Sequence, residues 1–174
     1  ALQAAQELVM SRNQQAVDVS HLLYVLCKQT GGVVLAILKK LEVDVNFLKK
    51  ELEREFSKIP KVVKEAALGE IYITQHLRRV MIQAQKEADK LRDEYISTEH
   101  FLLAMFQPQS PVKIILSGLG VTYDKVLKVL SEVRGTESVT DAEPEQRYQA
   151  LEKYAQNLTD LARQKKLDPV IGRN

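Results

Sequence analysis

The chain contains little cysteine: Cys27 is the one cysteine among its 174 residues. A single thiol excludes an intrachain disulfide framework and is typical of a reducing compartment, so we expect a cytoplasmic location. Leucine and valine occupy positions 22, 23, 25 and 26 around it. This apolar setting predicts that Cys27 is a small buried hydrophobe rather than a reactive thiol.

Tryptophan is absent and aromatic residues make up 6% of the chain, whereas the residues that favour helix are abundant. No apolar run approaches the roughly 20 residues that a membrane span needs, and no signal peptide is recognisable. The formal net charge is +2, with both signs interleaved along the sequence. We therefore expect neither a nucleic-acid nor a membrane partner.

The sequence also lacks the patterns that carry catalysis. It has no G-x-x-x-x-G-K-[ST] loop to cradle nucleotide phosphates, and no paired Cys/His spacing typical of a metal site. We therefore predict no catalytic residue, no metal site and no cofactor in this chain. By this interpretation the chain is not itself an enzyme.

What the sequence does contain is an internal repeat. Residues 18–23 (Asp-Val-Ser-His-Leu-Leu) correspond to residues 97–102 (Ser-Thr-Glu-His-Phe-Leu). Farther on, residues 38–44 (Leu-Lys-Lys-Leu-Glu-Val-Asp) correspond to residues 116–122 (Leu-Ser-Gly-Leu-Gly-Val-Thr). Two copies of one helical unit form a pseudo-symmetric module, and such modules usually bind partners.

Capping residues recur at matching positions, which predicts matching helix starts: Asp18 with Ser97, and Asp44 with Thr122. The predicted fold is all-α, an eight-helix pseudo-twofold bundle of two four-helix repeats, followed by a linker and one further helix. The first repeat covers residues 1–57, with its start truncated, and the second covers residues 74–134. A connection spans residues 58–73, a flexible linker residues 135–145 and a further segment residues 146–174.

The histidines have a structural interpretation. His21 and His100 take the third position of matching helices, where an imidazole hydrogen-bonds local backbone and packs against the helix entry. His76 has no counterpart in the repeat and is expected at the surface. Two acidic residues leave alternatives open. Asp93 and Glu99 form either a polar rim for a bound peptide, or an inter-helix turn residue and a carboxylate in a helix's first turn.

The chain resembles the N-terminal region of the Clp/Hsp100 AAA+ chaperones along essentially its whole length. Three segments carry the resemblance: the Ser-Thr-Glu helix start at residues 97–99, Gly-Thr-Glu-Ser-Val at 135–139, and Leu-Asp-Pro-Val-Ile-Gly-Arg at 167–173. The last is the most specific, because in this family it opens the first AAA+ module. The resemblance implies that residues 146–174 begin that module and that Val170, Ile171 and Gly172 border an incomplete nucleotide pocket.

The resemblance also implies a function. In the disaggregase branch this domain weakly binds exposed segments of unfolded or aggregated proteins and passes them to the AAA+ ring. The alternative is a protease-linked unfoldase whose N-terminal domain docks adaptor proteins, and a third possibility is a purely structural helical cap. The full-length protein would be a homohexameric ATPase that uses ATP and Mg²⁺ and cooperates with an Hsp70 system.

By resemblance, the client-binding groove lies on the second repeat. The family's acidic positions there are matched by Asp93 and Glu99, and positions where it often has leucine are matched by Gln83, Glu87 and His100. These five residues are the predicted substrate-binding set. The polar replacements predict a groove that is less apolar than is usual for the family.

Overall fold

The computed structural model describes residues 1–61, 70–108 and 110–134. Within these ranges the chain forms eight α-helices and two strands of two residues each. In chain order they are α1 (Leu2–Ser11), β1 (Ala16–Val17), α2 (Val19–Lys28), α3 (Val33–Lys40), α4 (Val45–Phe56), β2 (Tyr72–Ile73), α5 (Gln75–Lys90), α6 (Thr98–Ala104), α7 (Pro111–Gly118) and α8 (Tyr123–Arg134). The helical prediction is confirmed, whereas the predicted linker and final helix lie outside the described residues.

The predicted caps begin the predicted helices. Asp18 and Ser97 each form a capping box with the histidine three residues later. Asp44 accepts a hydrogen bond from the backbone N–H of Phe47 at 3.1 Å. These side chains satisfy N–H groups that have no partner within the helix, so they fix where each helix starts.

The helix ends repeat as well. Asn13 after α1 and Arg92 after α5 both have φ of 57°. Glu42 after α3 and Gly120 after α7 have φ of 59° and 79°. A single left-handed residue stops a helix and turns the chain sharply, and three of these four positions accept that conformation without glycine. The two repeats therefore share their turns as well as their helices.

The two strands were not predicted from the sequence. Ala16–Val17 pairs in parallel with Tyr72–Ile73, which immediately precedes α5. Two residues are too short a stretch for an alternating pattern to show in the sequence. This pairing joins the first repeat to the segment that leads into the second.

The two short apolar helices are exchanged between the repeats. Helix α3 of the first repeat packs against α6 and α8 of the second, and α7 of the second packs against α2 and α4 of the first. One continuous cluster of buried residues draws on both repeats. Because each copy buries its apolar helix in the other, the two repeats fold around a single core.

The long helices α4 and α5 each bury one apolar face. In α5, Leu77, Val80, Ala84 and Ala88 are buried. In α4, the residues Leu48, Leu52 and Phe56 are buried, but Phe47 is 47% exposed. Phe47 lies one position before Leu48 and so turns away from the core.

Candidate functional site

The structure places the five predicted substrate-binding residues along α5, the turn after it and the first turn of α6. Gln83 is partly exposed, whereas Glu87, Asp93, Glu99 and His100 are buried. Asp93 follows the left-handed turn, and Glu99 lies in the first turn of α6, where the helix dipole favours a carboxylate. Asp93 is thus an inter-helix turn residue and Glu99 a carboxylate in a helix's first turn, which is the second of the two alternatives that the sequence left open. In this conformation four of the five side chains lie beneath the surface.

Gln83 and Glu87 belong to a polar network between α5 and α8. One carboxylate oxygen of Glu87 accepts from Gln83 Nε2 at 2.9 Å and lies 3.4 Å from Lys90 Nζ. The other accepts from the Tyr123 hydroxyl at 2.6 Å. Burial, together with the hydrogen bond to Glu87, raises the pKa of Tyr123 to about 12. Glu87 therefore ties the start of α8 to the last turn of α5.

Asp93 and His100 belong to a second network, which ends on α8. His100 Nε2 lies 2.6 Å from one Asp93 oxygen. The Arg134 guanidinium contacts both carboxylate oxygens, with Nη1 donating at 2.9 Å. Bidentate pairing of this kind holds both groups in one geometry and compensates for removing a charge pair from water. The network fixes the turn between α5 and α6 to the end of α8.

In the first repeat, uncharged side chains occupy the positions that correspond to this charged network. His21 Nε2 lies 3.0 Å from Gln14 Oε1. The Gln14 amide donates to the carbonyl oxygens of Phe56 and Ile59 at 2.8 and 2.9 Å. The Phe56 ring stacks on His21, with centroids 4.5 Å apart. Desolvation lowers the pKa of His21 to about 4, and the nearby Asp18 carboxylate opposes that shift in part.

The exposed apolar surface differs between the repeats, and this difference was missed from the sequence. The second repeat exposes Ile82 on α5 and Ile114 on α7, which are 58% and 75% accessible. The equivalent residues of the first repeat are Gln3 and Ala36. Aligning the copies position by position would have revealed these replacements. The second repeat also exposes Tyr95 and Ile96, in the segment between α5 and α6.

An open cleft of about 550 Å³ lies on the first repeat, away from the five predicted residues. Its lining is mixed, with Cys27 and Leu35 beside Lys28, Lys39 and Lys49. Burial raises the pKa of the Cys27 thiol to about 12, so this cysteine is not a nucleophile near neutral pH.

Across residues 1–61, 70–108 and 110–134, no group of three or more His, Cys, Asp or Glu side chains converges as metal ligands. Val170, Ile171 and Gly172 lie outside the described residues, so their place beside a nucleotide stays a prediction. In that same described part, no single helix is long and apolar enough to cross a membrane. Helices α2 and α3 together are long and apolar enough, but the two helices are bent by 84° relative to each other.

The chain is similar to known proteins along its length. The Clp repeat (R) N-terminal domain family matches residues 1–119. The chaperone protein ClpB of Bacillus cereus is 40% identical over 175 residues, which is 100% of this chain and 20% of that protein. ClpB of Clostridium perfringens is 38% identical over 177 residues, again covering 20% of its length. The chain thus spans about a fifth of the length of these curated relatives.

Solved structures share the fold. The Hsp104 N-terminal domain from Candida albicans superposes with a TM-score of 0.65 at 22% identity, covering 79% of this chain and 89% of that one. A chain from a study of a malarial protein secretion system gives 0.62 at 18% identity, covering 75% and 87%. The family match over residues 1–119 agrees with the structure, in which two four-helix units share their caps and turns. The chain belongs to the Clp repeat N-terminal domain family, as carried by ClpB-type chaperones.

Proposed function

We propose that the chain is the substrate-engaging N-terminal domain of an ATP-dependent protein disaggregase. It weakly binds exposed segments of unfolded or aggregated proteins and passes them to an AAA+ ring. The observation that carries this proposal is the asymmetry of the apolar surface. Among the described residues, the first repeat exposes two large hydrophobic residues, Met10 and Phe47. The second repeat exposes four, at positions where the first has polar, small or buried residues: Ile82, Tyr95, Ile96 and Ile114.

Exposed aliphatic side chains suit a client whose sequence varies. Contact between apolar groups is non-directional, so it places little demand on the order of residues in the bound segment. A shallow surface buries few side chains and gains little free energy beyond the cost of association. The expected affinity is therefore weak, which allows a captured segment to be released to the ring.

The five predicted residues take two roles in this proposal. Gln83 is partly exposed and is able to contact a client directly. The buried Glu87, Asp93, Glu99 and His100 act from beneath the surface. Glu87 and Asp93 join α5 and the turn after it to α8. They support the binding surface by holding the helices that form it.

The remaining parts of the proposal concern the full-length protein. By family resemblance it is a cytoplasmic homohexamer that hydrolyses ATP with Mg²⁺ and works with an Hsp70 system. Val170, Ile171 and Gly172 border the nucleotide in its first AAA+ module. Several weak sites on one ring raise the local concentration of binding surface, so avidity compensates for the weakness of each site.

Titration with a permanently unfolded protein tests the proposal. Reduced, carboxymethylated α-lactalbumin is added to the isotopically labelled 174-residue chain, and amide shifts are followed by NMR. We expect shifts around Ile82, Gln83 and Ile114. Ile82→Ser and Ile114→Ser should each weaken binding several-fold, because each removes apolar contact area.

Met10→Ser is the matched control, since Met10 is 62% exposed on the first repeat. It should leave the affinity unchanged. Absence of shifts at millimolar client would contradict the proposal and favour a structural cap. Shifts that map to the first repeat would contradict the placement of the binding surface on the second.

A further inference from the structure

The cleft on the first repeat lies where the end of α2, the end of α3 and the start of α4 meet. Part of its lining is apolar. Cys27 is 3% exposed there, and Leu35 and Val45 are partly buried beside it. Three side chains with ammonium groups line the same cleft, which we name the basic cleft: Lys28, Lys39 and Lys49.

The basic cleft has an excess of positive charge. Among its lining residues Asp44 is the one carboxylate, and this side chain caps α4 by accepting from the Phe47 N–H at 3.1 Å. Within the described part of the chain, none of the three lysines forms an ion pair with a carboxylate. Such a surface attracts an acidic ligand.

In the second repeat, aromatic rings of the chain itself fill the space between the end of α6 and the start of α8. Tyr123 is the first residue of α8, as Val45 is of α4, and both helices have 12 residues. The Phe106 ring follows α6 and packs edge-on against the Tyr123 ring, with centroids 6.4 Å apart. Both rings also pack against the core. The smaller Cys27 and Val45 leave the space between α2 and α4 open.

Two of the lysines are also particular to the first repeat. Lys49 is the fifth residue of α4, and the fifth residue of α8 is Leu127. Lys39 is the seventh residue of α3, and the seventh residue of α7 is Ser117. At both positions the second repeat is uncharged. The first repeat therefore gains charge at the entrance to the same space that it leaves unfilled.

We propose that the basic cleft binds a short acidic segment of a partner protein through one aromatic side chain flanked by carboxylates. The ring enters the space that is closed in the second repeat by Phe106 and Tyr123. The flanking carboxylates pair with the lysines of the cleft. This is a second binding site, on the other repeat from the client surface, so it does not rest on the proposed function.

The two parts of the segment have different roles. Burial of a ring against Cys27, Leu35 and Val45 supplies most of the affinity, because it removes apolar area from water. The ammonium groups lie at the surface, where each ion pair adds little free energy. They select an acidic partner and speed its association.

A designed pentapeptide is the direct probe. Acetyl-Glu-Asp-Phe-Asp-Glu-amide is added to the isotopically labelled 174-residue chain, and amide shifts are followed by NMR. We expect shifts around Cys27, Val45 and Lys49. One control peptide has Gly in place of Phe, and another has Gln and Asn in place of Glu and Asp. Each should bind about tenfold more weakly. Equal binding of either control peptide would overturn the inference.

Two variants test the cleft from the protein side. Lys49→Gln should weaken binding about threefold. Its matched control is Lys50→Gln, since Lys50 is exposed on the same helix but does not line the cleft. Val45→Tyr places a ring where the second repeat has Tyr123 and should weaken binding at least about tenfold. Equal affinities in the two lysine variants, or unchanged binding to Val45→Tyr, would contradict the proposal.

Inorganic phosphate tests whether the cleft is a simple anion site. Phosphate has no ring to bury, so we expect it to bind much more weakly than the pentapeptide. Phosphate that shifts the same amides at the same concentration would show that charge alone is recognised, and the aromatic segment would then be wrong.

The two titrations separate this inference from the proposed function. In a chain saturated with the pentapeptide, unfolded α-lactalbumin should still shift Ile82 and Ile114. If it does so but the peptide leaves Val45 unshifted, the function stands and the basic cleft is wrong. If the peptide shifts Val45 while the unfolded protein binds nowhere on the second repeat, the basic cleft stands and the proposed function is wrong.

Discussion

His21 and His100 accept the same hydrogen bond at equivalent positions of the two repeats. The Nδ1 atom of each ring accepts from the backbone N–H of its helix's capping residue, Asp18 or Ser97, at 3.0 and 2.8 Å. An Nδ1 that accepts carries no proton, so each ring donates through Nε2. The acceptor differs: it is the Gln14 amide oxygen in the first repeat and the Asp93 carboxylate in the second.

We expect His21 to make the fold less stable in acid. The unfolded ring takes up a proton near pH 6.5, whereas in the folded chain its pKa is lowered to about 4. The unfolded state therefore binds more protons between these values, and stability is lost as pH falls through this window. We expect a loss of roughly 2 kcal/mol in the free energy of unfolding, allowing for solvent screening.

Urea denaturation at about pH 7 and about pH 4.5 measures this loss. His21→Gln should reduce the difference between the two conditions, although the variant is less stable at both. His76→Gln removes a partly exposed histidine from α5 and serves as the control. If the difference persists in His21→Gln, His21 is not the group responsible.

The second repeat should remain stable when its charged Asp93–Arg134 pair is replaced by the uncharged side chains of the first repeat. Arg134→Phe alone leaves the Asp93 carboxylate buried without its cation, and we expect a cost of about 3 kcal/mol. Adding Asp93→Gln recreates the Gln–His–Phe set of the first repeat and should restore most of that loss. Urea denaturation of the single and double variants gives the coupling. A double variant that is less stable than Arg134→Phe would contradict the equivalence of the two networks.

Thr74 should contribute more to the free energy of unfolding than an ordinary helix-capping residue does. Its hydroxyl accepts from Leu77 N–H at 3.2 Å and donates to Asp18, so one side chain begins α5 and holds β2 on the first repeat. We expect Thr74→Ala to lower the free energy of unfolding by about 2 kcal/mol. Thr122→Ala removes an exposed cap of α8 and should cost about half as much. Equal thermal shifts in the two variants would show that the bond to Asp18 adds nothing.

Cys27 should be inert in the folded chain. It is buried, and its pKa is raised to about 12, so little thiolate exists at about pH 8. We expect a disulfide reagent that releases a coloured thiol to react slowly with the native protein and rapidly in urea. Cys27→Ser provides the baseline. Rapid reaction under native conditions would show that the cleft beside Cys27 opens.

Local features of the fold were predictable because they depend on short stretches of sequence. Asp18, Asp44, Thr74 and Ser97 each sit directly before an apolar helical pattern, and each begins a helix in the structure. The structural interpretation of His21 and His100 needs only the three residues back to the cap. The two strands escaped prediction because their pairing joins residues far apart in sequence.

The sequence by itself determined that the chain is a duplicated helical unit, since caps, turns and apolar periods recur in both copies. Tertiary structure alone decided how the copies combine. The exchange of α3 and α7 makes one core, and it buries Asp93, Glu99 and His100 at positions where an acidic rim was one of the predicted alternatives. Partners distant in sequence also decided which of two equivalent residues is buried: β2 lies over Val17, while Ile96 is left exposed. Burial depends on what packs against a residue, and a local pattern carries no information on a distant neighbour.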